Sequence, residues 1–127
     1  MSKHLRGVRV VLVEDHDDSR ELLALMLEQC GAIVVSAASA RTGLQAVLEN
    51  RPDVVVSDIG MPGEDGYWLI REVHTRFGVL PAVAVTGFSD RYHPRQAKEA
   101  GFDEYLNKPV DPELLCGTVA KVLDRIA

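Results

Sequence analysis

The stretch Val54-Val55-Val56-Ser57-Asp58 is a short apolar run that ends on polar residues, and the chain repeats this pattern. Apolar, β-branched runs of this kind are typical of strands buried in a parallel sheet. Three more runs end in the same way: Val10-Val11-Leu12-Val13 before Glu14-Asp15, Ala82-Val83-Ala84-Val85 before Thr86, and Tyr105-Leu106-Asn107 before Lys108. Because ligands of open α/β sheets bind at the carboxyl edge, acids, a hydroxyl and an ammonium are predicted to meet there.

Helix-period segments alternate with the apolar runs, which predicts βαβ units and an α/β fold of five parallel strands with helices on both faces. Strands are expected at about 8–13, 32–36, 53–57, 82–86 and 103–107. Helices are expected at about 17–30, after a Ser39 cap, at 65–76, at 93–100 and from Asp111 onward. Residues 88–92 should be irregular, because Pro94 is unfavourable inside a helix that begins at Ser89.

Details of three helices are expected as well. In the first helix, Asp17 and Asp18 are predicted to cap the N-terminus, and Leu22, Leu23, Met26 and Leu27 to face inward. In the second, Leu44, Val47 and Leu48 should form the apolar side, and in the last the stripe should be Leu115, Val119, Val122 and Ile126.

The composition of the chain disfavours some classes of function. The chain has 127 residues, the size of one domain, and we take 1–127 as a single domain with 1–7 as an N-terminal leader. The net charge of -5 disfavours direct nucleic acid binding, and no apolar run is long enough for membrane insertion. Without a signal sequence the expected location is the cytoplasm, so Cys30 and Cys116 are interpreted as small buried apolar residues.

The carboxylates at the sheet edge suggest a chemistry. Several carboxylates held close together repel one another, and a divalent cation relieves that repulsion. Mg²⁺ suits such a site, because it binds one or two carboxylates, keeps several waters and bridges to phosphate oxygens. A carboxylate can accept a phosphoryl group covalently, and the Lys108 ammonium and Thr86 hydroxyl can then contact the new oxygens.

These residues, in this order, resemble the receiver domains of two-component response regulators over essentially the whole chain. The motifs are Glu14-Asp15, Ser57-Asp58-Ile59-Gly60-Met61-Pro62-Gly63, Asp65-Gly66, Thr86-Gly87 and Lys108-Pro109. The resemblance implies a flavodoxin-like, doubly wound sheet with strand order 2-1-3-4-5. It also implies phosphotransfer from a histidine kinase or histidine phosphotransfer protein to an unknown output protein.

The resemblance assigns roles residue by residue. Asp58 is implied as the phosphoacceptor, with Lys108 and Thr86 contacting the phosphoryl group. Mg²⁺, or alternatively Mn²⁺, would be bound by Asp15, Asp58 and the backbone carbonyl of Gly60, with Glu14 acting through water. A cis peptide is implied between Lys108 and Pro109. Thr86 and Tyr105 match the switch pair, which changes the face made by helix 4, strand 5 and helix 5. The chain would be a phosphoacceptor that assists its own phosphorylation and dephosphorylation, rather than an enzyme.

Some residues depart from the family pattern or stand outside it. Glu64 stands where many relatives have an apolar residue, and Trp68 where they often have Glu. Trp68 either packs over a neighbouring loop or is an exposed anchor for a partner. The four histidines, His4, His16, His74 and His93, share no ligand spacing and are expected at the surface.

Three other functions fit the sequence less well than the receiver interpretation. A flavin or nucleotide site needs donor-rich loops, but the first βα loop is acidic and no glycine fingerprint is present. A phosphatase-type hydrolase would need an acid two residues after Asp58, where Gly60 stands. A pseudo-receiver that acts only as a protein-interaction module is the remaining alternative, although every expected polar group is present. The resemblance leaves two contexts open for the chain, a stand-alone receiver and the receiver module of a hybrid histidine kinase.

Overall fold

The fold is known from a computed structural model that describes residues 4–87 and 94–124. The strands are β1 Arg9–Val13, β2 Ile33–Ala37, β3 Val54–Ser57, β4 Ala82–Gly87 and β5 Glu104–Lys108. The helices are α1 Asp17–Gln29, α2 Ala40–Asn50, α3 Gly66–Arg76, α4 Pro94–Ala100 and α5 Pro112–Asp124. The expected irregular segment 88–92, His93 and Ile126 lie outside the described residues.

All five strands are parallel and follow the order β2-β1-β3-β4-β5, which confirms the predicted fold class. Successive strand residues point to opposite faces of the sheet, so that they pack into two different core layers. One layer packs the sheet against α2, α3 and α4, and includes Val11, Val13 and Val55. The other packs it against α1 and α5, and includes Val10, Leu12 and Val56. Among the described residues, no helix has the length and apolar character needed to cross a bilayer.

The N-terminal segment contributes to the second core layer. Leu5, in the stretch predicted as a leader, is fully buried, and its N–H donates to the Cys30 carbonyl at 2.9 Å. The chain therefore begins to pack before β1.

Several helix details match the sequence-based expectation. Ser39 caps α2 by accepting from the Thr42 N–H, and Asp111 caps α5 by accepting from the Leu114 N–H at 3.0 Å. Pro94 is the first residue of α4, where its missing N–H is not needed.

Two expectations about α1 and one about α2 are wrong. Leu22 is 53% exposed, because the buried stripe of α1 follows Leu23, Met26 and Leu27 at helical spacing and Leu22 lies off that line. Leu48 of α2 is 39% exposed for the same reason. The residue at the N-cap of α1 is His16, without a side-chain cap, so the aspartates that follow act through first-turn charge.

The two cysteines also differ from the expectation of two independent apolar residues. Cys30 at the end of α1 and Cys116 on α5 are both buried, as predicted, but the structure joins them as a disulfide. Their distance in sequence, 86 residues, hid the pairing. It follows only from α1 and α5 sharing one face of the sheet.

Candidate functional site

The sheet register brings the first two acidic positions together. Val13 is paired with Ser57 across β1 and β3, so that Glu14 and Asp58 are the next residues of adjacent strands. The Asp58 N–H donates to the Val13 carbonyl at 2.9 Å, and the Glu14 N–H donates to the Ala37 carbonyl at 3.0 Å. Backbone hydrogen bonds thus hold both side chains at the carboxyl edge of the sheet.

Glu14 is a fully buried carboxylate surrounded by donors. Its Oε1 accepts from the Lys108 ammonium and from the Ser19 hydroxyl, and its Oε2 accepts from the His16 N–H at 3.1 Å. Burial alone would raise the pKa of Glu14, but the hydrogen bonds from Lys108 and the His16 N–H outweigh it and hold that pKa below its ordinary value. Glu14 is therefore a stable anion in the fold.

Asp58 is 5% exposed and is the carboxylate most perturbed by its surroundings. Its Oδ1 accepts from the Ile59 N–H at 2.7 Å, which leaves Oδ2 facing the Lys108 ammonium at 3.6 Å. Desolvation and the neighbouring Glu14 charge raise the pKa of Asp58 to about 6, although Lys108 opposes the shift. Two buried carboxylates side by side thus have opposite pKa shifts, since Lys108 binds Glu14 more closely.

Asp15 and His16 complete a cluster that fits a divalent cation. One ligand atom from each of Glu14, Asp15, His16 and Asp58 can be chosen so that all four lie within 4.8 Å of one another. Asp15 Oδ1 is buried and accepts no hydrogen bond from the described part of the chain. A buried acceptor without a donor beside a carboxylate of raised pKa is an arrangement that a bound cation would stabilise.

His16 is the site residue whose place the sequence did not reveal. It is 74% exposed, as expected of a surface residue, but its Nδ1 lies 3.4 Å from Glu14 Oε2 and 3.5 Å from Asp15 Oδ1. The signal available in the sequence was its position directly after two acids at the start of a helix.

Arg20 is a second contributor that sequence patterns do not identify. Its guanidinium donates to the Glu14 backbone carbonyl at 2.9 Å and to Asp17 Oδ1 at 2.6 Å. The N-cap residue of α1, His16, makes no side-chain cap, and these Arg20 contacts fix the acidic loop to the helix that follows it. Arg20 therefore positions the loop without joining the carboxylate cluster.

Of the remaining predicted residues, Thr86 and Lys108 lie at the same edge, and Tyr105 lies three residues before Lys108 on β5. Thr86 is fully buried near the end of β4, and Lys108 ends β5. Tyr105 is half-buried on β5, packed against the core layer of α2, α3 and α4. The peptide between Lys108 and Pro109 is cis, which confirms that expectation. Gly60 lies in the loop between β3 and α3, two residues beyond Asp58.

Gly66 allows the loop after Asp58 to pack closely on itself. A Cβ at Gly66 would overlap the backbone carbonyl oxygen of Asp58 and lie 2.8 Å from the Ile59 Cα. The Gly66 N–H donates to the Ile59 carbonyl at 2.8 Å. This close turn fixes the backbone that carries the Asp58 side chain.

Trp68 is packed by its own chain. The ring is half-buried against the core layer of α2, α3 and α4, and the Arg41 guanidinium lies 5.2 Å from its centroid. Arg41 also lies 3.4 Å from a Glu64 carboxylate oxygen. The two departures from the family pattern, Glu64 and Trp68, thus share one partner on α2, which favours the packing interpretation of Trp68.

Comparison with known proteins gives a consistent result. The family model described as the response regulator receiver domain matches residues 10–120. An uncharacterised 14.6 kDa protein of Leptolyngbya boryana is 40% identical over 110 residues, which cover 85% of this chain and 84% of that protein. Transcriptional regulatory protein AfsQ1 of Streptomyces coelicolor is 36% identical over 91% of this chain, which spans about half of AfsQ1, 51%.

A solved structure supports the same assignment. A response regulator receiver domain protein from Clostridium thermocellum matches with a TM-score of 0.86 and 27% identity, covering 94% of this chain and 96% of that one. The strand order, the acidic edge of the sheet and the family match all agree. The chain belongs to the response regulator receiver domain family.

Proposed function

We propose that this chain is a signalling receiver that accepts a phosphoryl group on Asp58 from a phosphohistidine of a histidine kinase or histidine phosphotransfer protein. The observation that carries the proposal is the Lys108 ammonium, which is shared by the Glu14 and Asp58 carboxylates. Asp58 Oδ2 lies 3.6 Å from the Lys108 ammonium, whose charge is available to an oxygen that becomes negative beside it.

The transfer would use a carboxylate oxygen as nucleophile. Asp58 Oδ1 is occupied by the Ile59 N–H, so that Oδ2 attacks phosphorus. The O–P bond forms as the N–P bond of phosphohistidine breaks, and the electron pair of that bond returns to the imidazole nitrogen of the donor. Lys108 can contact a phosphoryl oxygen without moving far, and the Thr86 hydroxyl is expected to donate to another.

The carboxylate cluster would hold Mg²⁺, or alternatively Mn²⁺. The proposed ligands are Asp15, Asp58 and the Gly60 carbonyl, with Glu14 acting through water. When bound, the ion would neutralise charge on the phosphoryl oxygens. Glu14 is already paired with the Lys108 ammonium, which supports an indirect role for Glu14 in binding the ion. Because an ammonium has three N–H donors, Lys108 can keep this contact and also donate to a phosphoryl oxygen.

The proposed output is a change at the face made by α4, β5 and α5. Thr86 and Tyr105 lie on neighbouring strands, two residues apart in register, because Ala84 is paired with Tyr105 and Thr86 with Asn107. If Thr86 moves toward the phosphoryl group, the ring of Tyr105 can turn inward. Phosphorylation would then favour the state in which both contacts are made.

A groove beside the site suits the phosphodonor. It has a volume of about 450 Å³, lies between α1 and the residues after β5, and is lined by Leu22, Met26 and Val110, with Lys108 at its edge. Leu22 is exposed and gives this groove an apolar rim. A donor helix seated there would bring its phosphohistidine to the carboxyl edge of the sheet, and we propose this groove as its docking site.

The module is proposed to work as a single phosphoacceptor domain in the cytoplasm, alone or within a hybrid histidine kinase. It would assist its own phosphorylation and dephosphorylation without acting on another substrate. Its output partner is expected to be a protein, since a net charge of -5 disfavours direct contact with nucleic acid.

The test is phosphorylation by a small acyl-phosphate donor with Mg²⁺, followed by intact-protein mass spectrometry. The wild-type chain should gain one phosphoryl group, and chelation of Mg²⁺ with EDTA should prevent the gain. Asp58→Asn should gain none, whereas Asp18→Asn, a change in an exposed acid of the first turn of α1, should be labelled like the wild type. Labelling of Asp58→Asn at the wild-type level would refute the assignment.

A further inference from the structure

The cysteine pair lies away from the carboxylate cluster and is not explained by the proposed function. Cys30 follows the last residue of α1, and Cys116 lies in the first half of α5. The two Cα atoms are 6.6 Å apart, within the range that a disulfide spans. The bridge joins the two helices that cover one face of the sheet.

The same place also accommodates two thiols. Both cysteines belong to the core layer that contains Met26, Leu27 and Val119, where a thiol packs as a small apolar group. The Cys116 sulfur lies 3.5 Å from the Met26 carbonyl oxygen, so that a reduced Cys116 would have an acceptor for its S–H.

We propose that Cys30 and Cys116 form a reversible disulfide, which makes the packing of α5 on α1 depend on thiol redox conditions. In the reducing cytoplasm, which is the location proposed above for this chain, a disulfide is usually transient or redox-sensing rather than structural. The pair is therefore interpreted as a redox-responsive element. It does not depend on phosphorylation of Asp58.

The oxidant is a low-molecular-weight disulfide such as oxidised glutathione. One cysteine thiolate attacks the small disulfide, which forms a mixed disulfide and releases one small thiolate. The second cysteine thiolate attacks the protein sulfur of that mixed disulfide and releases the other small thiolate. Two protein thiols are oxidised by two electrons, the small disulfide is reduced to two thiols, and the two protons pass to the released thiolates.

The position of each cysteine in its helix decides which one reacts first, because both are buried. Cys116 lies within α5 and is fully buried, whereas Cys30 is the C-cap of α1, where helix ends fray. Access therefore requires local opening at the end of α1, and we expect Cys30 to form the mixed disulfide. Exchange should be slow compared with that of an exposed thiol.

The test measures redox state and stability together in the full chain. The protein is equilibrated in glutathione buffers from fully reduced to fully oxidised, quenched in acid, alkylated under denaturing conditions and counted for thiols by mass spectrometry. We expect two alkylated thiols under reducing conditions and none under oxidising conditions. Because the bridge spans 86 residues of sequence, the oxidised form should melt higher, by about 10 °C.

Cys30→Ala is the matched control, since it removes one sulfur and leaves a small apolar side chain. Its melting temperature should not respond to the glutathione ratio. Two results would overturn the proposal: both thiols alkylated at every ratio, or a bridge that persists in millimolar reduced glutathione. Thiol counting in the wild type decides between these outcomes even if the variant does not fold.

Discussion

Replacing Asp58 with Asn is expected to stabilise the protein when Mg²⁺ is absent. The fold raises the pKa of Asp58 from 3.8 to about 6, chiefly through burial and the Glu14 charge. At about 1.4 kcal/mol per pH unit, ionising Asp58 in the folded state at neutral pH costs about 3 kcal/mol. Asn keeps the size of the side chain and an oxygen for the Ile59 N–H, so we expect a gain of about 2 kcal/mol in the free energy of unfolding.

The sign of this effect depends on pH. Below about pH 4, Asp58 is protonated in both the folded and the unfolded chain, and the variant should have no advantage. The advantage should grow as the pH rises through the two pKa values and reach its full size above about pH 6. Urea unfolding in EDTA at pH 4.5 and pH 7.5 measures it, with Asp18→Asn as the exposed control.

Mg²⁺ should change the order of stability. The ion binds only the folded state, so it should raise the free energy of unfolding of the wild type more than that of Asp58→Asn. If Asp58→Asn is no more stable than the wild type in EDTA at pH 7.5, the reasoning about charge repulsion in the cluster is wrong.

Five further substitutions test three other parts of the structure. Glu14→Gln should lower the free energy of unfolding by about 2 kcal/mol at pH 7.5. The lowered pKa of Glu14 indicates a stabilising ion pair, whose contribution is present above the pKa of the unfolded chain and is lost as the pH falls. A neutral or stabilising effect in urea unfolding would contradict this. Trp68→Ala should lower the free energy of unfolding, followed by thermal melting, by about 2 kcal/mol, and Arg41→Ala should lower it by less than about 1 kcal/mol. An unchanged melting temperature for Trp68→Ala would favour the exposed-anchor interpretation. Gly66→Ala should lower stability and slow labelling by a small phosphodonor, whereas Gly117→Ala, at an exposed position of α5, should stabilise by about 1 kcal/mol. Equal behaviour of the two variants would mean that the loop after β3 tolerates a Cβ.

The sequence predicted the sheet well because its information is local. Each apolar run predicts a strand, and the helices between the runs predict that the strands are parallel. The carboxyl edge then collects the polar residues that end the strands. Strand and helix bounds agree with the structure to within one or two residues, as hydrogen-bonded ends vary by that amount.

What the sequence missed depends on side chains from separate elements. Lys108 lies closer to Glu14 than to Asp58, and no pattern along the chain could rank those two distances. The meeting of Cys30 with Cys116 required the packing of α1 on α5. His16 and Arg20 are near Glu14 in sequence, but their contacts depend on the conformation of the loop between β1 and α1, which the residue pattern does not define.

The most direct measurement locates the phosphoryl group on the chain. After labelling with a small acyl-phosphate donor and Mg²⁺, reduction with borohydride converts an aspartyl phosphate to homoserine, and peptide mass spectrometry finds the altered residue. We predict conversion at Asp58 and at no other carboxylate. Conversion at Asp15 or Glu14 instead, or the absence of any conversion in a fully folded and Mg²⁺-loaded sample, would contradict it.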